Sequence, residues 1–441
     1  MRSRRSPFSW LLEKEARELF ASRSWWVMLL VIGPLVGVSF ISAVRTYAEA
    51  SGLNGTAAGV GEAFSPLVGV WAPTFSACEI AAAFLLPFVA IRLVSGDRQS
   101  GALKLELQHP MTALARISAK ALVLLGAWLA AIAAPLLAVV LWRAYGGSLY
   151  GPELWTILAG HILNAGLTVA LAAATASLAE HPSTAAILTL TVTVGTWIVN
   201  FIAAVQGGVW DRIAAYTPTA MVAQFQHGLV RLDVVLIALT FVGAGLAIAA
   251  TWMRLGVAIR RRASESFAVA ALAGALVTAC TFVTPSWDWS ENRMNSFPEA
   301  DEATLKQIHG PLRIEAHLAP EDPRRADLER RALSKLRRAM PRVQVDYVSA
   351  TSIGLFEQTS AHYGEIWYEL NGKRAMTRAT TADSVLETIY DLAGVNPPPE
   401  TDDVFRGHPL AVPPKGAAAV FYGIWPALVV AAAFFVRRRS V

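Results

Sequence analysis

The stretch SGDRQSGALKLELQHPMTALARISAKAL, residues 95–122, lies between two long apolar runs yet carries acids, bases, a Gly and a Pro. It is too polar to cross a hydrocarbon core, so it reads as a connector between two spans, and the chain on either side of it reads as membrane. Its first part, GDRQSGALKLELQ, spaces Leu103, Leu105 and Leu107 in a way that fits strand as well as helix. Pro110 ends that part, and MTALARISAK starts a helix that runs on into the next span. A connector of this kind either caps the helices it joins or offers a docking surface to a soluble partner.

Working outward, eight apolar runs have about the length a membrane helix needs: Trp25–Val44, Ala77–Val94, Ala121–Trp142, Leu154–Leu178, Thr184–Val205, Val234–Trp252, Phe267–Val283 and Ala417–Val436. Glu180, His181 and Pro182 break the fourth from the fifth. Lys and Arg gather on one side: Arg2, Arg4, Arg5, Lys14, Arg17 and Arg23, then Arg98, Lys104, Arg116 and Lys120, then Arg254 and Arg260–Arg262, then Arg437–Arg439. The short loops of the other side hold only Arg45, Arg143, Arg212 and Arg231. Positive residues stay inside, so both termini of a multi-pass membrane protein are expected in the cytoplasm. The first residues, broken by charge, are not expected to form a cleaved signal peptide.

The bulk numbers agree. With 441 residues, 54% hydrophobic and only 16% charged, the chain is too apolar for an ordinary soluble enzyme. The net charge of +5 comes from bases at the ends of apolar runs, which membrane topology explains and nucleic-acid binding does not require. Cys78 and Cys280 both fall in apolar runs, which indicates neither a disulfide framework nor a thiolate metal site.

The hydrophilic segment from Ser286 to Lys415 is expected on the outer side as a small α/β domain. LRIEAHL alternates apolar and polar residues with the period of a half-buried strand, VQVDYV and EIWYEL are further strands, and Leu328, Leu333, Leu336 and Met340 form one helical stripe. Ser296 with Glu299 suggests a capping box, and Thr381 and Gly394 bracket a further helix. At the other end of the chain, Ser6 is a plausible N-cap with Pro7 at the first helical position. The amphipathic helix that follows is expected to lie in the membrane interface. The fold class is therefore mainly α: a polytopic helical membrane protein with eight transmembrane helices and a small extracytoplasmic α/β domain. The expected divisions are an interfacial elbow helix at 1–24, six spans at 25–256, a linker and seventh span at 257–285, the outer domain at 286–415, and an eighth span with a basic tail at 416–441.

The connector at 95–122 resembles the cytoplasmic loop of ABC-2 type transporter permeases, in which an acidic-Arg-x-x-Gly-x-leucine-rich segment ending in Pro precedes the third span. EKEARELFASRSWW is similar to the elbow helix of that family, and YTPTAMVAQFQHGLVRLDVVLIAL to its outer segment before the sixth span. The resemblance covers roughly residues 7–256, with Asp97 where Glu is usual, Ala102 where Thr is usual and Lys104 where an acid is common. From about Phe267 onward, WSENRMNSFPEADEATLKQIHGPLRIEAHLAPE resembles a shortened auxiliary subunit of gliding-motility-type ABC systems. The resemblance implies a permease of the bacterial inner membrane, an exporter by family habit, dimeric with itself or a second permease, and driven by two copies of a separate ABC ATPase that would bind ATP and Mg. It further implies that Glu13, Arg17, Asp97, Arg98, Gly101, Leu103, Leu105 and Pro110 receive that ATPase.

The residues agree that ATP hydrolysis lies elsewhere. None of the seven lysines is followed by Ser or Thr, so no Gly-x-x-x-x-Gly-Lys-Ser/Thr loop is present, and no zinc-protease or nucleophile-elbow motif occurs. The chain is expected to bind no cofactor of its own and to hydrolyse nothing. Polar residues inside spans matter because a charge at mid-membrane costs roughly 2.5–3.5 kcal/mol. Glu79, His161, Asn164 and Asn200 are candidates for a substrate path. The alternatives are an interfacial carboxylate at Glu79 and interhelical hydrogen bonding by His161 and Asn164, which share a helix face. Two rivals remain open: a non-transporting ATP-driven complex acting on an envelope partner through the outer domain, and an intramembrane enzyme built on the His161 and Asn164 face.

Overall fold

A computed structural model describes residues 6–53, 64–102, 106, 110–206, 208–319, 322–340, 342–348, 362–399 and 405–439, the side chain of Arg98 excepted. The chain is mostly helical, and eight of its helices are long and apolar enough to cross a membrane: Arg23–Ala50, Leu67–Asp97, Ala113–Ala144, Gly151–Leu178, Pro182–Gln206, Leu232–Trp252, Ile259–Cys280 and Ala417–Arg438. Three begin well before their apolar runs. The second starts at Leu67 because one π-helical turn, Leu67–Trp71, carries the chain up to Pro73, which is tolerated in the first turn of the helix that follows. The third takes in the polar turns around Arg116 and Lys120, whose side chains are buried. The seventh includes the basic turn from Ile259.

The second and third spans are interrupted at Leu85 and Ile132. Each break lies just before a proline, Pro87 or Pro135, which has no N–H for the carbonyl one turn back. By backbone contacts the chain divides into two units: Met1–Ile198 with Ala215–Pro285 and Arg406–Val441, and Val199–Ala214 with Ser286–Phe405.

In the first unit, an N-terminal helix, Pro7–Ala21, precedes the spans. Ser6 caps it as the sequence suggests, its hydroxyl accepting from the Ser9 amide at 3.2 Å, with Pro7 at the first position. Leu11, Glu15 and Leu19 are its buried stripe, while Trp10 and Phe20 stay exposed. The first span packs against the last through two glycines. A Cβ at Gly33 would fall inside the Trp425 indole and one at Gly37 would press on Phe421, so only glycine lets these aromatics approach. The Trp425 indole N–H donates to the Leu29 carbonyl at 2.7 Å. The segment leading into the last span is also held: the Tyr47 hydroxyl donates to the His408 carbonyl at 2.6 Å and the Tyr145 hydroxyl to that of Lys415 at 2.8 Å. Arg406–Lys415 therefore belongs with the spans and not with the α/β unit.

The second unit contains a four-stranded sheet of β1 (Leu312–Ala316), β2 (Val343–Tyr347), β3 (Ile366–Leu370) and β4 (Lys373–Thr377), in the order β2-β1-β3-β4. β1 and β2 are parallel; the other pairings are antiparallel. The alternation of LRIEAHL is realised, with Leu312, Ile314, Ala316 and Leu318 all fully buried. The crossover from β1 to β2 carries the leucine stripe. Leu328 and Leu333 are five residues apart, one more than an α-helix allows on one face, and a π-helical turn at Glu329–Leu333 absorbs the extra residue. The helix expected to start at Ser296 starts at Glu299, because the buried Phe297 precedes Pro298 and a residue before proline is driven out of the helical region. β4 is unannounced by alternation but follows a two-residue turn, Asn371 (φ 51°) and Gly372 (φ 79°), the pair that a tight hairpin demands.

Candidate functional site

The N-terminal helix, the end of the second span, the connector and the start of the third span meet at one buried cluster of charge. The Lys14 ammonium donates to Asp97 Oδ1 at 3.0 Å and Glu15 Oε1 at 3.2 Å, lies 3.1 Å from Glu18 Oε1, and pairs closely with Glu106. The Lys120 ammonium donates to Glu15 Oε2 at 2.7 Å and the Leu93 carbonyl at 3.3 Å, and pairs closely with Asp97 Oδ2. Arg116 donates to the Glu106 backbone carbonyl at 3.2 Å. Glu15, Asp97, Glu106, Arg116 and Lys120 are each at most 5% exposed. The three buried acids are matched in number by Lys14, Arg116 and Lys120, and the more exposed Glu18 also draws on Lys14.

Local structure delivers each group. The helix Leu86–Ser100 ends on Gly101, whose φ of 78° is left-handed, so the chain turns off directly beyond Asp97. The Thr112 hydroxyl accepts from the Ala115 amide at 3.1 Å and starts the third span, which places Arg116 and Lys120 one turn apart on its buried face. Burial alone would lower the Lys14 ammonium, but Glu106, Glu15 and Asp97 together hold it above the ordinary lysine value. Burial pushes the Glu15 carboxyl up, against the pull of Lys120 and Lys14. Carboxylate oxygens of Glu15, Asp97 and Glu106 lie within 4.8 Å of one another, a spacing that could suit a cation, but the lysine ammoniums already fill that role.

The residues offered to a partner by the sequence are thus scattered. Asp97 is 2% exposed, with both carboxylate oxygens engaged by lysines of its own chain. Glu13 and Arg17 pair at 2.5 Å on the open side of the N-terminal helix, where Arg17 is largely exposed. Gly101 is the helix cap just described, and Pro110 is exposed. The Arg98 side chain, Leu103 and Leu105 lie outside the described residues. Lys14, Glu15, Glu106 and Lys120, which do most of the joining, are absent from the sequence-derived candidates.

A second polar group lies among the helices of the first unit. His161 is fully buried and its ring packs on Phe75 at 5.6 Å between centroids, while the Gln226 amide donates to His161 Nε2 at 3.3 Å. That bond leaves the imidazole proton on Nδ1, which finds no acceptor among the described residues. Asn164, one turn along, is 5% exposed, and the half-buried Glu79 faces Thr219. Gln226 and Thr219 both belong to the short helix Pro218–Gln226, so one helix covers Glu79 and His161 together. Asn200 falls in the second unit.

No protein-family model, curated protein or solved structure matches the chain. The geometry of the two polar groups and the eight apolar helices stand as the findings from which function is argued.

Proposed function

We propose that this chain is the membrane-spanning permease subunit of an ABC-2 type transporter, working as an exporter in a dimer of permeases with two separate ATPase chains that bind ATP and Mg. The buried ion cluster carries the reading. A soluble motor on the inner side would press on the N-terminal helix and the connector, and the Lys14 and Lys120 bridges join both to the ends of the second and third spans. Removing one member of such a cluster strands a buried charge, so the four segments move as a block. In this reading Asp97 acts through its own chain as a positioning residue, and the exposed Glu13 and Arg17 side of the helix faces the motor. Both termini and the connector lie in the cytoplasm of a bacterium, with the α/β unit outside the inner membrane.

Affinity purification of the full chain from its native membrane tests this. A co-purifying chain with a Gly-x-x-x-x-Gly-Lys-Ser/Thr loop and ATP hydrolysis in the eluate is expected. A preparation that holds no such chain and hydrolyses no ATP sinks the proposal.

A second reading, an ATP-driven complex that moves an envelope partner without transporting a solute, draws on the α/β unit, which has a continuous core of its own around Leu312, Ile314, Leu336, Tyr368 and Ile389. Recovery of an outer partner, with ATP hydrolysis indifferent to every solute tried, would favour it.

A further inference from the structure

A groove of about 700 Å³ opens beside the ion cluster, between the end of the N-terminal helix, the last turns of the second span and the first turn of the fifth. Its size is within the ~300–1,000 Å³ usual for small-ligand sites. Phe88, Val89, Ala186 and Leu19 give it an apolar wall. Its polar part holds Arg92 and Ser183, with Ser183 in the first turn of Pro182–Gln206, where backbone N–H groups have no helical partner.

Charge decides what fits. Two acids line the groove, and each already meets a lysine of the cluster: Glu18 meets Lys14 at 3.1 Å, and Asp97 meets Lys14 and Lys120. Arg92 is exposed, and among the described residues no carboxylate pairs with it. The groove therefore presents Arg92, with which no carboxylate of the described residues pairs, the Ser183 N–H of a helix start and an apolar wall, at the level where two spans end. Such a site complements an amphiphile with an anionic head, and a free anion would leave the apolar wall exposed to water.

We propose that this groove binds one anionic phospholipid, its phosphate against Arg92 and the first turn of the fifth span and an acyl chain along Phe88, Val89 and Ala186. A lipid held there touches the N-terminal helix at Leu19 and the second span at Arg92, both next to the ion cluster, so its presence would hold those two elements together. The proposal rests on the membrane placement of the spans and is independent of any ATPase partnership.

The test uses the full chain in detergent, loaded with phosphatidylglycerol or with phosphatidylcholine of the same acyl chains and washed in steps, with bound lipid counted by native mass spectrometry. Phosphatidylglycerol should be retained about five-fold over phosphatidylcholine, the effect of one basic side chain on an anionic lipid. Arg92→Gln should abolish that preference and Arg92→Lys should keep most of it. Ala186→Trp, which fills the apolar wall, should lower retention of both lipids while leaving the protein monodisperse, so the question is answered even where Arg92→Gln fails to fold. Equal retention of the two lipids by the wild type, or an unchanged preference in Arg92→Gln, overturns the proposal. Displacement of phosphatidylglycerol by glycerol phosphate at millimolar concentration also overturns it, because the site would then take a free phosphate.

Discussion

Two polar clusters are buried in the first unit, and they are built on opposite principles. The one around Lys14 and Lys120 is made of full charges and joins four segments of chain; each of its buried acids meets an ammonium, while Glu106 Oε2 has no hydrogen-bond partner among the described residues. The one around His161 is neutral, depends on one short helix and leaves His161 Nδ1 without an acceptor among the described residues. Full charges taken out of water must be matched or the structure fails, whereas a neutral pair can be lost at small cost. The first cluster is thus suited to carry force, and the second to open.

The contrast can be broken by substitution. Lys120→Met leaves Glu15 and Asp97 short of a counter-charge and should cost about 3–5 kcal/mol, read from thermal unfolding in detergent; a loss under ~1 kcal/mol would remove the distinction. Between the two clusters in size of effect comes an apolar control. Gly33→Leu drives a side chain into Trp425 and should cost about 1–3 kcal/mol, with the last span becoming accessible to protease. Replacing both partners of the neutral cluster, His161→Leu with Gln226→Leu, should change stability by less than about 1.5 kcal/mol, because no polar group is left stranded between them. A larger loss would mean that this cluster too is a strut.

Smaller effects sharpen the comparison within one helix. Glu13 and Arg17 form an exposed pair two residues from the buried Glu15, and Arg17→Ala should cost only about 0.3–0.5 kcal/mol while reducing recovery of the motor subunit in a pull-down. Unchanged recovery would take this face out of the proposed interface. The smallest change concerns pH. The Lys14 ammonium is held above its ordinary value, so its stabilisation is complete below the unfolded lysine value of about 10.4 and is lost only as pH rises through the higher folded value. Protease sensitivity of the N-terminal helix should therefore stay flat from about pH 7 to 10.

Patterns that repeat along the chain were readable in the sequence. Eight apolar runs became eight long helices, and the alternation of LRIEAHL and the leucine stripe found their buried faces. The ion cluster was not readable, because Lys14 meets Asp97 across 83 residues and Lys120 meets Glu15 across 105, and periodicity assigns any charge on an amphipathic helix to the solvent side. Two other features had signals that went unread. Asn371-Gly372 marks the hairpin into β4, and Gly33-x-x-x-Gly37 is the small-residue spacing by which membrane helices approach closely.

That glycine pair also governs the order of assembly. Its aromatic partner Trp425 lies 396 residues downstream of Leu29, so the ridge that fills the groove is made long after the span it packs on. At about 5–20 residues per second, the first span waits roughly 20–80 s after synthesis before its neighbour exists. During that interval a strip of bare backbone on Gly33 and Gly37 is open to lipid, to another helix or to an insertion chaperone. The bundle can close only once Trp425 has been made, which makes the eighth span its latch and a nascent chain cut short before Trp425 a natural substrate for quality control.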